Sequence, residues 1–290
     1  HPMDIASDGR HLLLADTRNN RILIWNHLPT GNEPPDVVLG QPNFEACAPG
    51  TSRSRLRWPV SVATDGEHII VADTYNNRVL IWNRFPERNG TPADIVLGQD
   101  SFDEWKPSSI AWPWDVWTDG KRLMVASTMG GCILIWNSFP TANNQPPDLI
   151  LSIDDFGTPR NIESDGETYL LIGDHNAKMA PRGGNFLWLG IPERGDEPYD
   201  AYIGGEVLWC SEVIDGDLFA IANNQPLYIE SFKSLRGDLD LRELEESGVA
   251  TIFRGLFLDD GDGSGAVYVD NGTLQVTYIS LYNGGRIVGY

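Results

Sequence analysis

With 290 residues, 41% hydrophobic and 10% aromatic, the chain is long and apolar enough to bury a real core, as one large all-β domain or two ordinary ones. No apolar run is long enough to span a membrane as a helix, and the formal charge of −20, with 21 scattered basic residues, argues against general nucleic-acid binding. Such acidity suits solubility, a bound cation or a basic partner.

From its first residues the chain reads as one unit repeated. Leu12–Asn26 is LLLADTRNNRILIWN, Val71–Asn83 is VADTYNNRVLIWN and Leu123–Asn137 is LMVASTMGGCILIWN. Each stretch is two β-branched, apolar runs joined by a polar Asn- or Gly-rich turn, the pattern of a hairpin. Asp-Gly turns at Asp8, Asp65, Asp119, Asp165, Asp215 and Asp260 recur every 45 to 57 residues. A proline stands six residues before the first four: Pro2, Pro59, Pro113 and Pro159. Each unit therefore predicts an inner strand, the Asp-Gly turn, a second strand, an Asn-rich turn and a third strand. Short runs such as Asp36–Gly40 and Asp94–Gly98 supply a fourth. The fold class expected is all-β: a single six-bladed β-propeller of four-stranded antiparallel blades. The blades would cover about 1–44, 45–102, 103–156, 157–205, 206–250 and 251–290, with Arg286–Tyr290 as the outermost strand of the sixth.

The V-A-D-T-x-N-N-R-[IV]-L-I-W-N runs, each preceded by Pro and Asp-Gly, resemble NHL repeats. The Val-Leu-Gly-Gln-x-x-x-Phe segments (Val38–Phe44, Asp94–Phe102) are similar to the linkers of bacterial and archaeal members. The resemblance covers residues 1–156 and fades beyond. It implies a propeller serving as a rigid binding platform, and it lends a mild preference for a periplasmic or extracellular location. NHL-type lyases that use zinc carry several histidines on one face; here only His1 and His175 could lie there.

Repeated residues predict structural roles. Asp16, Asp73, Asp174 and Asp270 share a place that Ser127 and Asn223 fill in the other units, and a carboxylate at such a turn accepts backbone N–H bonds. Arg21 and Arg78 are expected to pair across neighbouring blades, and Trp25, Trp82, Trp136 and Trp188 to form core. His11 and His68, just after Asp-Gly turns, are expected in solvent. Three cysteines, Cys47, Cys132 and Cys210, indicate no disulfide framework. Asn89-Gly90-Thr91 and Asn271-Gly272-Thr273 read as turns before they read as glycosylation sites, and Asp260–Gly265 as a glycine-rich turn before a calcium loop.

Departures from the repeat point to function, because packing does not demand them. The linker Gln41–Trp58 carries Cys47, Arg53, Arg55 and Arg57. The linker Gln99–Trp114 carries Trp105, Trp112 and Trp114, and an insert from His175 to Asn185 carries Lys178, Met179 and Arg182. All three are expected on the mouth of the propeller, where insertions commonly form the binding face. The candidate ligand-binding residues are Arg57, Trp58, Trp105, Trp112, Trp114, Arg160 and His175; aromatic side chains plugging the channel is the other reading. Two residues into each inner strand stands a polar set, Asp4, Ser61, Asp115, Asn161 and Ser211, broken by Leu256. Asp4, Asp115 and Asn161 could ligate Ca²⁺ or a similar hard cation; polar residues lining a water-filled channel would look the same. No Ser-His-Asp grouping, phosphate loop or Cys-x-x-Cys occurs. Two functions follow: a non-catalytic propeller binding a protein or glycan partner, or a metal-dependent hydrolase, lactonase or lyase.

Overall fold

The computed structural model describes residues 2–179, 183–222, 225–253, 264–270, 273–279 and 287–288. The chain divides into two compact units, His1–Leu151 and Ser152–Tyr290.

The first unit holds three four-stranded antiparallel blades. They are Asp4–Ser7, Leu12–Asp16, Arg21–Trp25 and Val37–Leu39; then Pro59–Thr64, Ile69–Asp73, Arg78–Trp82 and Ile95–Leu97; then Pro113–Thr118, Leu123–Ser127, Cys132–Trp136 and Leu149–Leu151. The same local chemistry closes each hairpin. At the Asp-Gly turn the Asp8, Asp65 and Asp119 carboxylates accept two backbone N–H bonds each at 2.6–2.9 Å. The hydroxyls of Ser7, Thr64 and Thr118 donate to the carbonyls of His11, His68 and Arg122. At the second turn a short 3₁₀ helix ends on a left-handed residue, Asn20 (φ 53°), Asn77 (φ 50°) or Gly131 (φ 62°), which turns the chain into the third strand.

The core lies between blades. Leu13, Ile22 and Ile24 pack with Val62, Ile69 and Val71 across one seam, and Ile70, Val79 and Ile81 with Val116, Val125 and Leu134 across the next. Each fully buried aliphatic side chain contributes about 1.5–3 kcal/mol. Trp25, Trp82 and Trp136 are buried, and each indole N–H donates to a carbonyl in the loop beyond its own strand, at Glu33, Thr91 or Gln145.

Outer edges are protected by a neighbour's loop. Val38 in the last strand of the first blade donates to Asn89 Oδ1 (3.0 Å) and accepts from Gly90 N–H (2.9 Å). Val96 is clamped in the same way by Asn143 and Asn144. These bonds satisfy a strand edge that would otherwise be open to pairing, so Asn89 has a structural task as well as a turn position.

The second unit holds two more blades. The first is Pro159–Ser164, Leu170–Asp174, Gly184–Trp188 and Ala201–Gly204; the second is Leu208–Ile214, Asp217–Ala222, Gln225–Ile229 and Ala250–Ile252. Between the last two strands the chain makes an unpredicted excursion: Gly237–Asp240 pairs in parallel along Ala201–Gly204, and the α-helix Leu241–Glu246 follows. Asp240 caps this helix by accepting from Arg242 N–H. Leu241, Leu244, Phe232 and Leu235 bury themselves in the core of this unit. Ser264–Asp270, Thr273–Ile279 and Ile287–Val288 form a three-stranded sheet.

Among the described residues five blades of four strands are present, and the expectation of six is corrected. The last sheet has three described strands; residues 254–263, where a sixth inner strand and the Asp260 turn were expected, lie outside the described residues, as do His1, Arg182, Asn223 and Asn271.

Two further expectations are overturned. Arg21 and Arg78 pair inside their own blades, with Asp16 (2.7 Å) and Asp73 (2.8 Å), because residues flanking a tight turn sit opposite each other in the register Asp16↔Arg21 and Asp73↔Arg78. Nor are His11 and His68 solvated. His11 is buried and His68 half-buried; each binds the turn Asp through Nδ1 at 2.7 Å, and each lies against a phenyl ring of the following blade, Phe85 or Phe139.

Candidate functional site

The mouth of the first unit rests on two linkers of one design. Gly40 and Gly98 hold φ near +81° and +85°, and a Cβ at either would come within 2.5 Å of Leu56 or 2.7 Å of Ile110. The Val-Leu-Gly-Gln motif thus leaves room for the linker's far end to plug onto its start. Gln41 then donates to the carbonyls of Asn20 (2.8 Å) and Ala48 (3.0 Å), while Gln99 donates to those of Asn77 (2.8 Å) and Lys106 (2.6 Å). The left-handed asparagines complete the frame. Asn20 donates to Cys47 O and accepts from Trp58 N–H; Asn77 donates to Trp105 O and accepts from Trp112 N–H, all at 2.8–2.9 Å. Cys47 and Trp105 are therefore equivalent loop tips, both exposed, on a backbone held by buried amides.

On this frame Trp58 and Trp112 both adopt left-handed backbone (φ 56° and 50°). That conformation costs a non-glycine residue about 1–3 kcal/mol. Here it turns both indoles onto Tyr75, whose ring lies 5.3 Å from Trp58 (interplanar 9°) and 5.3 Å from Trp112 (33°). Arg57 places its guanidinium 6.0 Å from the Tyr75 centroid. The result is an aromatic ladder with Trp112 40% exposed, and Met129, in the turn position matching Tyr75, 65% exposed. Arg53 and Arg55 serve the frame instead: Arg53 donates to Ala93 O and lies 4.7 Å over Phe102, and Arg55 donates to Gln41.

Three of the predicted ligand-binding residues, Arg57, Trp58 and Trp112, thus come together, and Trp105 is tied to them through Asn77. Trp114 is half-buried in the first strand of its blade. In the second unit Arg160 and His175 surround Trp209, at 5.8 and 5.2 Å. Burial first, and then the Arg160 charge, hold the His175 imidazole below its ordinary pKa. Sequence reasoning passed over Tyr75 and Trp209. Tyr75 occupies a repeat slot held by Arg18 and Met129 in its neighbours, and that change of residue type was the available signal.

The polar set on the inner strands also assembles, unit by unit. In the first unit Asp4 accepts from Ile5 N–H (2.8 Å) and Val62 N–H (2.9 Å), and Ser61 donates to Asp115 (2.8 Å). A bulge after Pro59 shifts the register of that strand there. Burial pushes the Asp4 carboxyl up to about 6, against the hydrogen bonds from Val62 N–H and Ile5 N–H that pull it down. In the second unit Asn161 donates to Ser211 (3.1 Å). Among the described residues no group of three or more His, Cys, Asp or Glu is arranged to hold a metal ion.

At the opposite, Asp-Gly end of the first unit a cavity of about 560 Å³ is lined by Arg10, His11, Glu67, Arg84, Phe85 and Glu87, with both charge signs represented.

An NHL-repeat family profile matches residues 56–82, the segment running from Leu56 through Trp58 and Tyr75 to Trp82. The chain is a β-propeller with an NHL repeat at residues 56–82. The propeller is similar in fold to a Bacteroides uniformis protein named as a proposed 6-phosphogluconolactonase, with 16% identity over 80% of this chain and 67% of that one and a TM-score of 0.54. A Thermus thermophilus protein, named as a proposed oxidoreductase (glucose dehydrogenase), is 15% identical over 95% of this propeller and 90% of its own chain, with a TM-score of 0.51. A chain of a nidogen/laminin complex is 16% identical, over 81% and 78%, with a TM-score of 0.50. No curated protein sequence matches the propeller significantly. No described helix is long and apolar enough to cross a membrane.

Proposed function

We propose that this propeller is a non-catalytic scaffold that binds a protein or glycan partner through the linker-bearing mouth of its first unit. The Trp58–Tyr75–Trp112 ladder carries this reading. Two tryptophans are held in a costly left-handed backbone by dedicated asparagines, yet the rings are spent on a surface stack that no core requires. Preformed, rigid aromatic side chains give contact area at low entropic cost, which suits a binding face. The likeness to a chain of a nidogen/laminin complex is consistent with a protein partner. The test is retention of wild-type protein, Trp58→Ala and Trp112→Ala on glycan and partner arrays, with melting temperatures measured in parallel. Ligands retained by wild type should be lost from both variants while folding persists; retention of every ligand by both variants refutes the reading.

A second reading, a metal-dependent hydrolase, lactonase or lyase, draws on Asp4. A carboxyl titrating near 6 beside the Ser61–Asp115 bond suits proton transfer at neutral pH, and oxygen ligands suit Ca²⁺. Elemental analysis of the purified protein, with calcium titration of wild type and Asp115→Asn, decides it. A metal-free protein whose melting point ignores both calcium and EDTA discards this reading.

A further inference from the structure

Several aromatic rings at the mouth of the first unit meet a cation or another ring, whereas among the described residues Trp105 makes no such ring contact. Arg57 lies over Tyr75, Arg53 lies over Phe102, and Trp58 and Trp112 stack on Tyr75. Trp105 is 53% exposed and projects from the tip of a linker whose backbone is pinned by Asn77 at Trp105 O and by Gln99 at Lys106 O. The residues before it, Asp103 and Glu104, are exposed, and residues 100–106 carry three carboxylates against one ammonium. An exposed indole that follows two exposed carboxylates in the chain, on a protein of formal charge −20, is complementary to a guanidinium or ammonium group. Neutral glycans would use the indole and gain nothing from the carboxylates.

We propose that Trp105, with Asp103 and Glu104, is a docking site for a basic, arginine-bearing segment of a partner protein. The cation lies on the indole face and the carboxylates accept its N–H bonds. This rests on the binding reading and narrows it to a cationic protein partner. The pinned backbone makes the site rigid before binding, so little ordering cost falls on this side of the contact.

The test uses a fluorescein-labelled oligo-arginine peptide, followed by anisotropy at physiological ionic strength, with an uncharged Gly-Ser peptide as control. Wild type should bind the arginine peptide and ignore the control. Trp105→Ala should weaken binding about tenfold, the worth of a partly desolvated cation–π contact, while Trp105→Phe retains most of it. Asp103→Asn/Glu104→Gln should weaken binding, whereas Glu243→Gln/Glu246→Gln, an equal charge change on the helix Leu241–Glu246, should not. Because Asn77 and Gln99 hold the loop through backbone carbonyls, these variants keep the frame, which an unchanged melting temperature verifies. Equal binding by wild type and Trp105→Ala, equal weakening by both neutralised pairs, or no binding by wild type overturns the proposal. If the arginine peptide fails while Trp58 and Trp112 variants still lose an array ligand, the binding reading stands and only the cationic partner falls.

Discussion

Replacing Asp4 by Asn should change how stability depends on pH, with a sign set by burial. The folded Asp4 carboxyl is raised from 3.8 to about 6. Between those values the unfolded chain has released this proton and the folded chain still holds it. Stability therefore falls as pH rises through the window, and stays lowered above it. With about 1.36 kcal/mol per pH unit, a shift of roughly two units is worth at most about 3 kcal/mol. Asparagine keeps an oxygen to accept from Ile5 or Val62 N–H and cannot titrate. Urea denaturation of wild type and Asp4→Asn from pH 4 to pH 8 reads this contribution as a difference in which groups distant from Asp4 cancel. Wild-type stability should decline relative to the variant by about 2–3 kcal/mol between pH 4 and pH 7. A difference that is flat across this range would show that the carboxyl is not desolvated, and that the inner-strand seam is wet.

The turn carboxylate of Asp8 should behave in the opposite sense. Burial raises Asp8, but the bonds from His11 side chain and backbone and from Arg10 N–H outweigh it and hold the carboxyl below 3.8. Its contribution is thus present above the unfolded value and lost as pH falls through the folded one, so Asp8→Asn should destabilise at neutral pH and match wild type in strong acid, as urea titrations would reveal. Arg78 and Asp73 form an ion pair with no exposure, and Arg78→Met would strand a buried carboxylate at a cost of about 3–5 kcal/mol. Adding Asp73→Asn should recover part of that loss in a double-mutant cycle, and full additivity would deny the coupling. Asn77→Ala removes the amide that holds both Trp105 O and Trp112 N–H. It should cost about 1–3 kcal/mol and broaden hydrogen exchange across 99–112; unchanged protection there would place the loop's rigidity elsewhere.

The parts of this molecule that could be read from sequence are those where a local rule and a repeated need coincide. Asp-Gly followed by an apolar run must turn, and an inner-strand proline marks a strand start, so the blades at Pro59, Pro113 and Pro159 begin where expected. The polar set at Asp4, Ser61 and Asp115 was legible as well, because equivalent positions on neighbouring inner strands must meet. Arg78 was assigned to the wrong partner because a one-dimensional repeat cannot tell a pair across a turn from a pair across a seam; only the register Asp73↔Arg78 does. The parallel strand Gly237–Asp240 was invisible for a different reason. Its residues, Gly-Asp-Leu-Asp, have poor strand propensity, and they pair because the edge Ala201–Gly204 offers unfilled hydrogen bonds. The ladder falls between these cases. Trp58 and Trp112 stood out by type, but nothing local says that a tryptophan will adopt φ near +50°. That conformation is imposed by Asn20 and Asn77, which lie 38 and 35 residues earlier in the chain. A site built this way depends on asparagines in the repeat more than on the rings they aim, so its integrity should follow substitutions at Asn20 and Asn77 before those at the rings themselves.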